Sequence, residues 1–201
     1  MIIQEWYDEE KEGLAPSQRE VLPRFERTRE LRAYSDIIPG LLQTGPYIEA
    51  ILANVQTERR DYGIRDVAEA VQARLERARL LDAPDKSFSY LLEEVGLYAA
   101  ICDRKTLLDQ FEALKAGMER PNVDVGIIPQ GTGRRSTISE SFHLFDDACV
   151  SVELIAFYLM FDEPEKISAY RQQFEAYSAM AVRGNEALAL IDKAAAVLGG
   201  V

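Results

Sequence analysis

Ser87-Phe88-Ser89-Tyr90-Leu91-Leu92-Glu93 is the stretch on which the fold turns. Phe88, Tyr90 and Leu92 alternate with Ser87, Ser89 and Leu91, the period-two pattern of a strand. After a short helical turn within Glu94 to Ala100, Asp103 is placed to cap a helix running to about Met118. Leu107, Leu108, Phe111, Leu114 and Met118 form its inward stripe. Pro121-Asn122 ends it, and Val123-Asp124-Val125-Gly126-Ile127-Ile128 reads as a second strand. Strand, helix and strand over this length make a crossover unit, so the two strands are expected to be parallel, with a right-handed connection.

Downstream, Gln130 to Glu140 is a polar, glycine-containing loop. Two strands follow, Ser141 to Phe145 and Cys149 to Leu154, and the tight Asp146-Asp147-Ala148 link predicts an antiparallel hairpin. Phe157 to Phe161 is too short and too apolar to assign; it either extends the sheet or lines a pocket. Ile167, Tyr170, Phe174, Tyr177 and Met180 mark a helix over Glu163 to Val182, and a last helix runs from Asn185 to Leu198.

Upstream, Ile64, Val67, Ala68, Val71, Leu75, Ala78 and Leu81 fall on one face of a helix that Ala83-Pro84-Asp85 stops. Tyr47, Ile48, Ile51, Leu52 and Val55 trace another. Before it, Ile37 to Tyr47 (IIPGLLQTGPY) packs four aliphatics around Pro39-Gly40, where a type II turn would give Gly40 a positive φ. Thr44 and Pro46 suit the start of the next helix. Ser17 and Glu20 suggest a capping box opening a helix from about Gln18 to Tyr34. Within it Arg24, Arg27, Arg29 and Arg32, interleaved with Glu26 and Glu30, read as a solvated face. The expected fold is therefore α+β: a mixed sheet of about four strands, with one crossover unit and a C-terminal hairpin, flanked by helices from both chain ends. Residues 1–35 form an N-terminal helical segment, and residues 36–201 an α+β sensing or interaction domain, together one globular unit.

Composition narrows the function. A net charge of −11 over 201 residues offers no basic stripe to follow phosphates, so the chain alone is expected not to bind nucleic acid. No apolar run approaches a membrane span, and Met1-Ile2-Ile3-Gln4-Glu5 does not open a signal peptide. Two distant cysteines, Cys102 and Cys149, fit a reducing cytoplasm. HExxH, CxxC and alternating-aspartate motifs are missing and the chain has one histidine, so neither a metal nor another cofactor is expected.

The candidate site residues are polar side chains at the edges of apolar stripes. Gln43, Thr44 and Tyr47 leave the Pro39-Gly40 turn together, and Arg74 flanks the stripe of the next helix. Glu93 ends the first strand, and His143 and Glu153 lie in the two hairpin strands. Carboxylates set in apolar strands need a partner or a role, and Arg74 is a natural partner for one of Glu93, Glu94 or Glu153. The structural reading is an Arg–Glu pair fixing helix to sheet. The functional reading is a polar cluster in a ligand cavity lined by Tyr47, Arg74, His143 and Glu153, with Gln43 at its mouth. The Gly131–Ser136 loop, with two arginines, reads first as a surface loop and second as an anion holder.

Glu26 to Leu52 (ERTRELRAYSDIIPGLLQTGPYIEAIL) resembles the opening of the C-terminal domain of actinobacterial antitoxin-like transcriptional regulators. In those proteins a helix-turn-helix of the XRE type comes first. The proline-glycine-leucine-leucine-glutamine-threonine core at Pro39 to Thr44, followed by Tyr47, carries the resemblance. Ala73 to Arg77, Leu92 to Leu97, Val123 to Pro129, Phe142 to Phe145 and Val150 to Glu153 follow in order. One departure is that no helix-turn-helix precedes this domain here. The resemblance implies a sensing or interaction domain whose partner is a small-molecule ligand or a small protein encoded nearby, and it leaves room for a homodimer. An alternative stands beside it: a free-standing biosynthetic enzyme, catalysing a cyclisation or rearrangement in the same pocket with Glu153 and His143 as catalytic groups.

Overall fold

The computed structural model of the chain describes residues 2–5, 12–58, 63–134 and 137–199. At its centre are β3 (Ser87–Glu93) and β4 (Val123–Ile128), parallel as their patterns required and joined through α5 (Arg104–Met118). Asp103 caps α5 by accepting the Thr106 N–H at 3.1 Å. The hairpin is β5 (Phe142–Phe145) against β6 (Cys149–Glu153). Asp146 and Asp147 at its turn both take positive φ, 51° and 54°. The Asp146 carboxylate accepts the Arg29 and Glu30 N–H groups, which pins the hairpin to the strand beside it.

The sheet is larger than four strands. Besides those named it holds β1 (Ile2–Glu5), β2 (Glu30–Ser35) and β7 (Phe157–Phe161), in the order β1-β7-β6-β5-β2-β3-β4. β2 is the seam: it runs parallel to β3 and antiparallel to β5. This corrects the helix expected from Gln18 to Tyr34. That segment is instead α1 (Leu14–Glu20), α2 (Leu22–Arg27) with Pro23 in its first turn, and then β2. The physical reason is length: Glu30-Leu31-Arg32-Ala33 alternates over only four residues before Tyr34, which is buried like Ala33 beside it, breaks the pattern, and the helical residues ahead of it lend it their period. Lys86 closes the helix end, its Nζ donating to the carbonyls of Phe25, Glu26 and Thr28. The N-terminal segment expected to be helical therefore supplies, besides α1 and α2, an edge strand at residues 2–5 and a central strand at residues 30–35 of the sheet.

Between β2 and β3 come a 3-10 turn (Gly40–Leu42), α3 (Gly45–Glu58) and α4 (Val67–Ala78). Gly40 does not take a positive φ, and no neighbour lies within 4 Å of where its Cβ would be, so the type II turn expected there is a 3-10 turn instead. After the hairpin come α6 (Pro164–Ser178) and α7 (Gly184–Gly199). One sheet face packs on α6 through Tyr34, Phe142, Val152, Phe174 and Tyr177. The other packs Phe88, Tyr90, Val125 and Ile127 against Leu107, Phe111 and Ile191 from α5 and α7. At the β4 edge, Ile127 and Val182 exchange both backbone hydrogen bonds. No helix among the described residues is long and apolar enough to cross a membrane. Cys102 and Cys149 are both free thiols.

Candidate ligand-binding site

The site follows from where the second face loses its cover. Beyond Tyr90 towards β7, the residues facing α1, α2 and α4 become small or polar. Ala33 on β2, His143 on β5 and Ser151 on β6 stand in register, and Glu153 pairs with Tyr158 across β6 and β7. Small neighbours on both sides of His143 leave a depression in the sheet that no aliphatic fills. Over it lie α1, α2, α4 and the Ile37–Gln43 segment, which wall a solvent-open cavity of about 540 Å³. That volume is in the range of small-molecule sites, roughly 300–1,000 Å³.

The polar end is cationic. Arg77 is only 8% exposed and donates from Nη1 to the Gln18 carbonyl and from Nη2 to Gln18 Oε1, each at 3.2 Å. Its Nε has no hydrogen-bond partner among the described residues. Gln18 Oε1 also accepts from Arg74 Nε at 3.0 Å, so two guanidinium groups converge on one neutral amide oxygen. Arg24 Nη1 donates to the Tyr158 hydroxyl at 2.6 Å and lies 5.7 Å from the Phe145 ring centroid. Phe25 packs edge-on to Phe145 at 5.2 Å and carries the Arg77 guanidinium 5.0 Å from its centroid.

Burial pushes the Arg77 guanidinium down to about 10, the neighbouring Arg74 charge adds to this, and Glu153 opposes it; Arg77 remains a cation at neutral pH. Burial likewise holds the His143 imidazole below its usual range. The Glu153 carboxylate opposes that shift, and the charges of Arg77 and Arg24 reinforce it. At neutral pH His143 is therefore a neutral base or hydrogen-bond partner facing the cavity beside a carboxylate. The hydroxyl of Tyr90 and Oε1 of Gln43, both from lining residues, have no partner among the described residues either. Buried polar atoms in that condition are rare in native proteins and point to a group they were shaped to meet.

Of the residues expected at the site, Gln43, Arg74, His143 and Glu153 line this one cavity. Three do not. Tyr47 is fully buried in the core next to the cavity wall. The Thr44 N–H is held by Gln110 Oε1 at 2.6 Å, away from the cavity. Glu93 points to the opposite sheet face, where it accepts from the Tyr34 hydroxyl at 2.8 Å and pairs with Arg134. Period two explains Glu93: it alternates with Leu92, which faces the core on the cavity side. Glu93 and Glu94 therefore take other partners than Arg74, with Glu94 bound to Lys193 at 2.9 Å. Arg134 of the polar loop is committed to Glu93; Arg135 and Ser136 lie outside the described residues. Arg24, Gln18, Arg77 and Tyr158 were missed as site residues. Arg77 carried a signal, since it follows Arg74 by three residues and shares its helix face. Arg24 carried none, because its neighbours Arg27, Arg29 and Arg32 give it the look of a solvated run. Among the described residues, no three His, Cys, Asp or Glu side chains converge to hold a metal ion.

Residues 22–193 match the family described as Domain of unknown function (DUF5753), and the chain belongs to it. None of the curated proteins matches the chain. Among solved structures it is similar to TrmBL2, an archaeal chromatin protein, at 10% identity over 91% of this chain and 52% of that one, with a TM-score of 0.47. It thus spans about half the length of that protein. It is also similar to NucT from Helicobacter pylori (11% identity, 91% and 98% covered, TM-score 0.45). Nuc from Salmonella typhimurium, a phospholipase D family member, stands at 7% identity, 91% and 96% covered, and a TM-score of 0.45.

Proposed function

We propose that this member of the family is the ligand-sensing domain of an antitoxin-like transcriptional regulator, and that its ligand is a small molecule held in the cavity over His143. The observation that carries this reading is the 540 Å³ cavity, whose lining brings Arg24, Arg77, His143 and Glu153 together from four separate elements. A core without a ligand to recognise would fill that space with aliphatics, because unfilled volume and buried charge both destabilise. The signal would be transmitted by closing the Ile37–Gln43 segment against the sheet, since that segment is both cavity wall and connection between β2 and α3. DNA binding would belong to another part of the regulator, as the charge of −11 gives this domain no affinity of its own. In this reading the protein acts in the cytoplasm, and a small protein partner would read the ligand state from outside. The test is calorimetric screening of small-molecule pools on the parent and on Glu153→Gln. Binding that the substitution weakens without changing the unfolding midpoint supports the reading. Binding that is indifferent to Glu153, Arg77 and His143 together places the ligand elsewhere and removes it.

A second reading has one observation in its favour. A neutral imidazole beside a carboxylate in a cavity is suited to proton transfer, which is what an enzyme of cyclisation or rearrangement type needs. Mass spectrometry of a bound compound after hours with the protein separates the two readings. Unchanged mass and retention favour sensing, and a new isomer formed by the parent but not by His143→Gln favours catalysis.

A further inference from the structure

Arg77 has no anionic partner among the described residues. Arg77 is 8% exposed, and no carboxylate lies within ion-pair reach of it among the described residues. Its two acceptors among the described residues are the carbonyl and amide oxygens of one neutral residue, Gln18, and its Nε has none there. The same amide oxygen serves Arg74. A neutral acceptor shared by two guanidinium groups stands where a ligand oxyanion would bind more strongly. Arg24 and Arg77 bracket the Phe25–Phe145 ring pair, one on each ring, so their positive ends are fixed by stacking as well as by hydrogen bonds.

No carboxylate among the described residues pairs with Arg77. Glu20, Asp36 and Glu140 line the cavity from exposed positions, Asp36 accepting from Ser141 and Glu140 from Tyr170. Glu153, also exposed, faces Arg77 and His143 and opposes the charge at a distance without an ion pair among the described residues. The opposite wall is apolar: Ile38 precedes the 3-10 turn, Leu41 lies in it, and Ile51, Leu52 and Val55 come from α3.

We propose that the cavity selects an organic anion, a carboxylate or phosphate monoester on a compact apolar body. Its charged end lies against Arg77 and Arg24, and its body lies along the wall of Ile38, Leu41, Ile51, Leu52 and Val55. This rests on the reading of the cavity as a ligand site and narrows it to one chemical class. Oxyanion oxygens satisfy Arg77 Nε and displace the shared Gln18 contact. The Tyr90 hydroxyl and Gln43 Oε1 meet polar substituents nearer the apolar wall. A neutral ligand of the same shape leaves the guanidinium groups as they are and gains only the apolar contact.

The test uses three matched probes on the intact chain by titration calorimetry: phenylpropionate, phenethyl phosphate and phenylpropanol. The expected result is that at least one anion binds about tenfold or more tightly than the alcohol, the worth of one charge-assisted contact. The preference disappears in Arg77→Met and weakens in Arg24→Gln. The ratio of the two anions tells carboxylate from phosphate. Arg24 is only partly buried, so its variant still reports should Arg77→Met fail to fold. If the alcohol binds as tightly as both anions, the anion inference is overturned while the cavity remains a ligand site. If none of the three binds, both the inference and the cavity reading are overturned.

Discussion

Gly96 lies against the backbone carbonyl of Asp36: a Cβ at Gly96 would sit 2.3 Å from that oxygen and 3.0 Å from Leu92 Cδ1. The contact joins the exits of two parallel neighbours. Asp36 leaves β2 and Gly96 sits in the 3-10 turn Glu94–Tyr98 just after β3, so the two chains separate from the sheet touching. Gly96→Ala forces a methyl group against the Asp36 carbonyl and should lower stability by about 1–3 kcal/mol. Gly40→Ala, at a position with ordinary φ and open space, should change it by less than about 0.5 kcal/mol. Denaturant midpoints of the two variants check this as a pair, and equal midpoints would mean that the β2 and β3 exits are not in contact.

Gln110 is the hidden fastener of the connection that roofs the cavity. It is fully buried on α5; its Oε1 accepts the Thr44 N–H at 2.6 Å and its Nε2 donates to the Leu42 carbonyl at 2.8 Å. Gln110→Leu fills the same space but strands one donor and one acceptor, each at roughly 1–3 kcal/mol. A loss of about 2–4 kcal/mol in equilibrium unfolding is expected. A loss no greater than that of an exposed-site substitution shows that water takes over both groups.

His143 is the only imidazole in the chain, so one group owns any histidine-type pH dependence. Unfolded, it takes up its proton near 6.5; folded, burial first of all, with Arg77 and Arg24 reinforcing it against Glu153, holds it neutral to lower pH. As pH falls through 6.5 the unfolded chain binds more protons than the folded one. Stability therefore drops from there down to the depressed folded value and levels off below it. Unfolding free energies of the parent should show this slope and those of His143→Gln should not. Parallel curves from pH 7.5 down to 5.5 would falsify the assignment of a buried neutral imidazole.

The domain by itself should not retain DNA. With 34 acidic against 23 basic residues, approach to a duplex is repulsive at low salt, where basic proteins bind best. Fluorescence anisotropy with a labelled duplex at low ionic strength should stay at the free value. A saturable rise that shrinks with added salt would show a basic face that the overall balance conceals.

Several elements were plain in the sequence because a single neighbour decides them. β3 and β4 carry their own period, Asp103 caps α5 through residues three apart, and Asp146-Asp147 closes a hairpin whose partners are adjacent in the chain. β2 was not legible. Its alternation spans only Glu30 to Ala33 and breaks at Tyr34, its partners β3 and β5 come from far along the chain, and the preceding helical residues lend it a false period.

The site divides in the same way. Sequence alone determined which types of side chain were out of place: Arg74 beside an apolar stripe, and His143 and Glu153 within apolar strands. Which of them meet was decided only by the tertiary structure. Strand parity sent Glu93 to the far face and His143 to the near one. The packing of α2 over β5 turned Arg24 inward from an apparently solvated run, and α1 supplied Gln18 as the acceptor that gathers Arg74 and Arg77. Local pattern records the cost of placing a polar group among apolar ones. The partner that offsets that cost is set by which elements pack together, and for Arg77 and Gln18 those elements lie 59 residues apart.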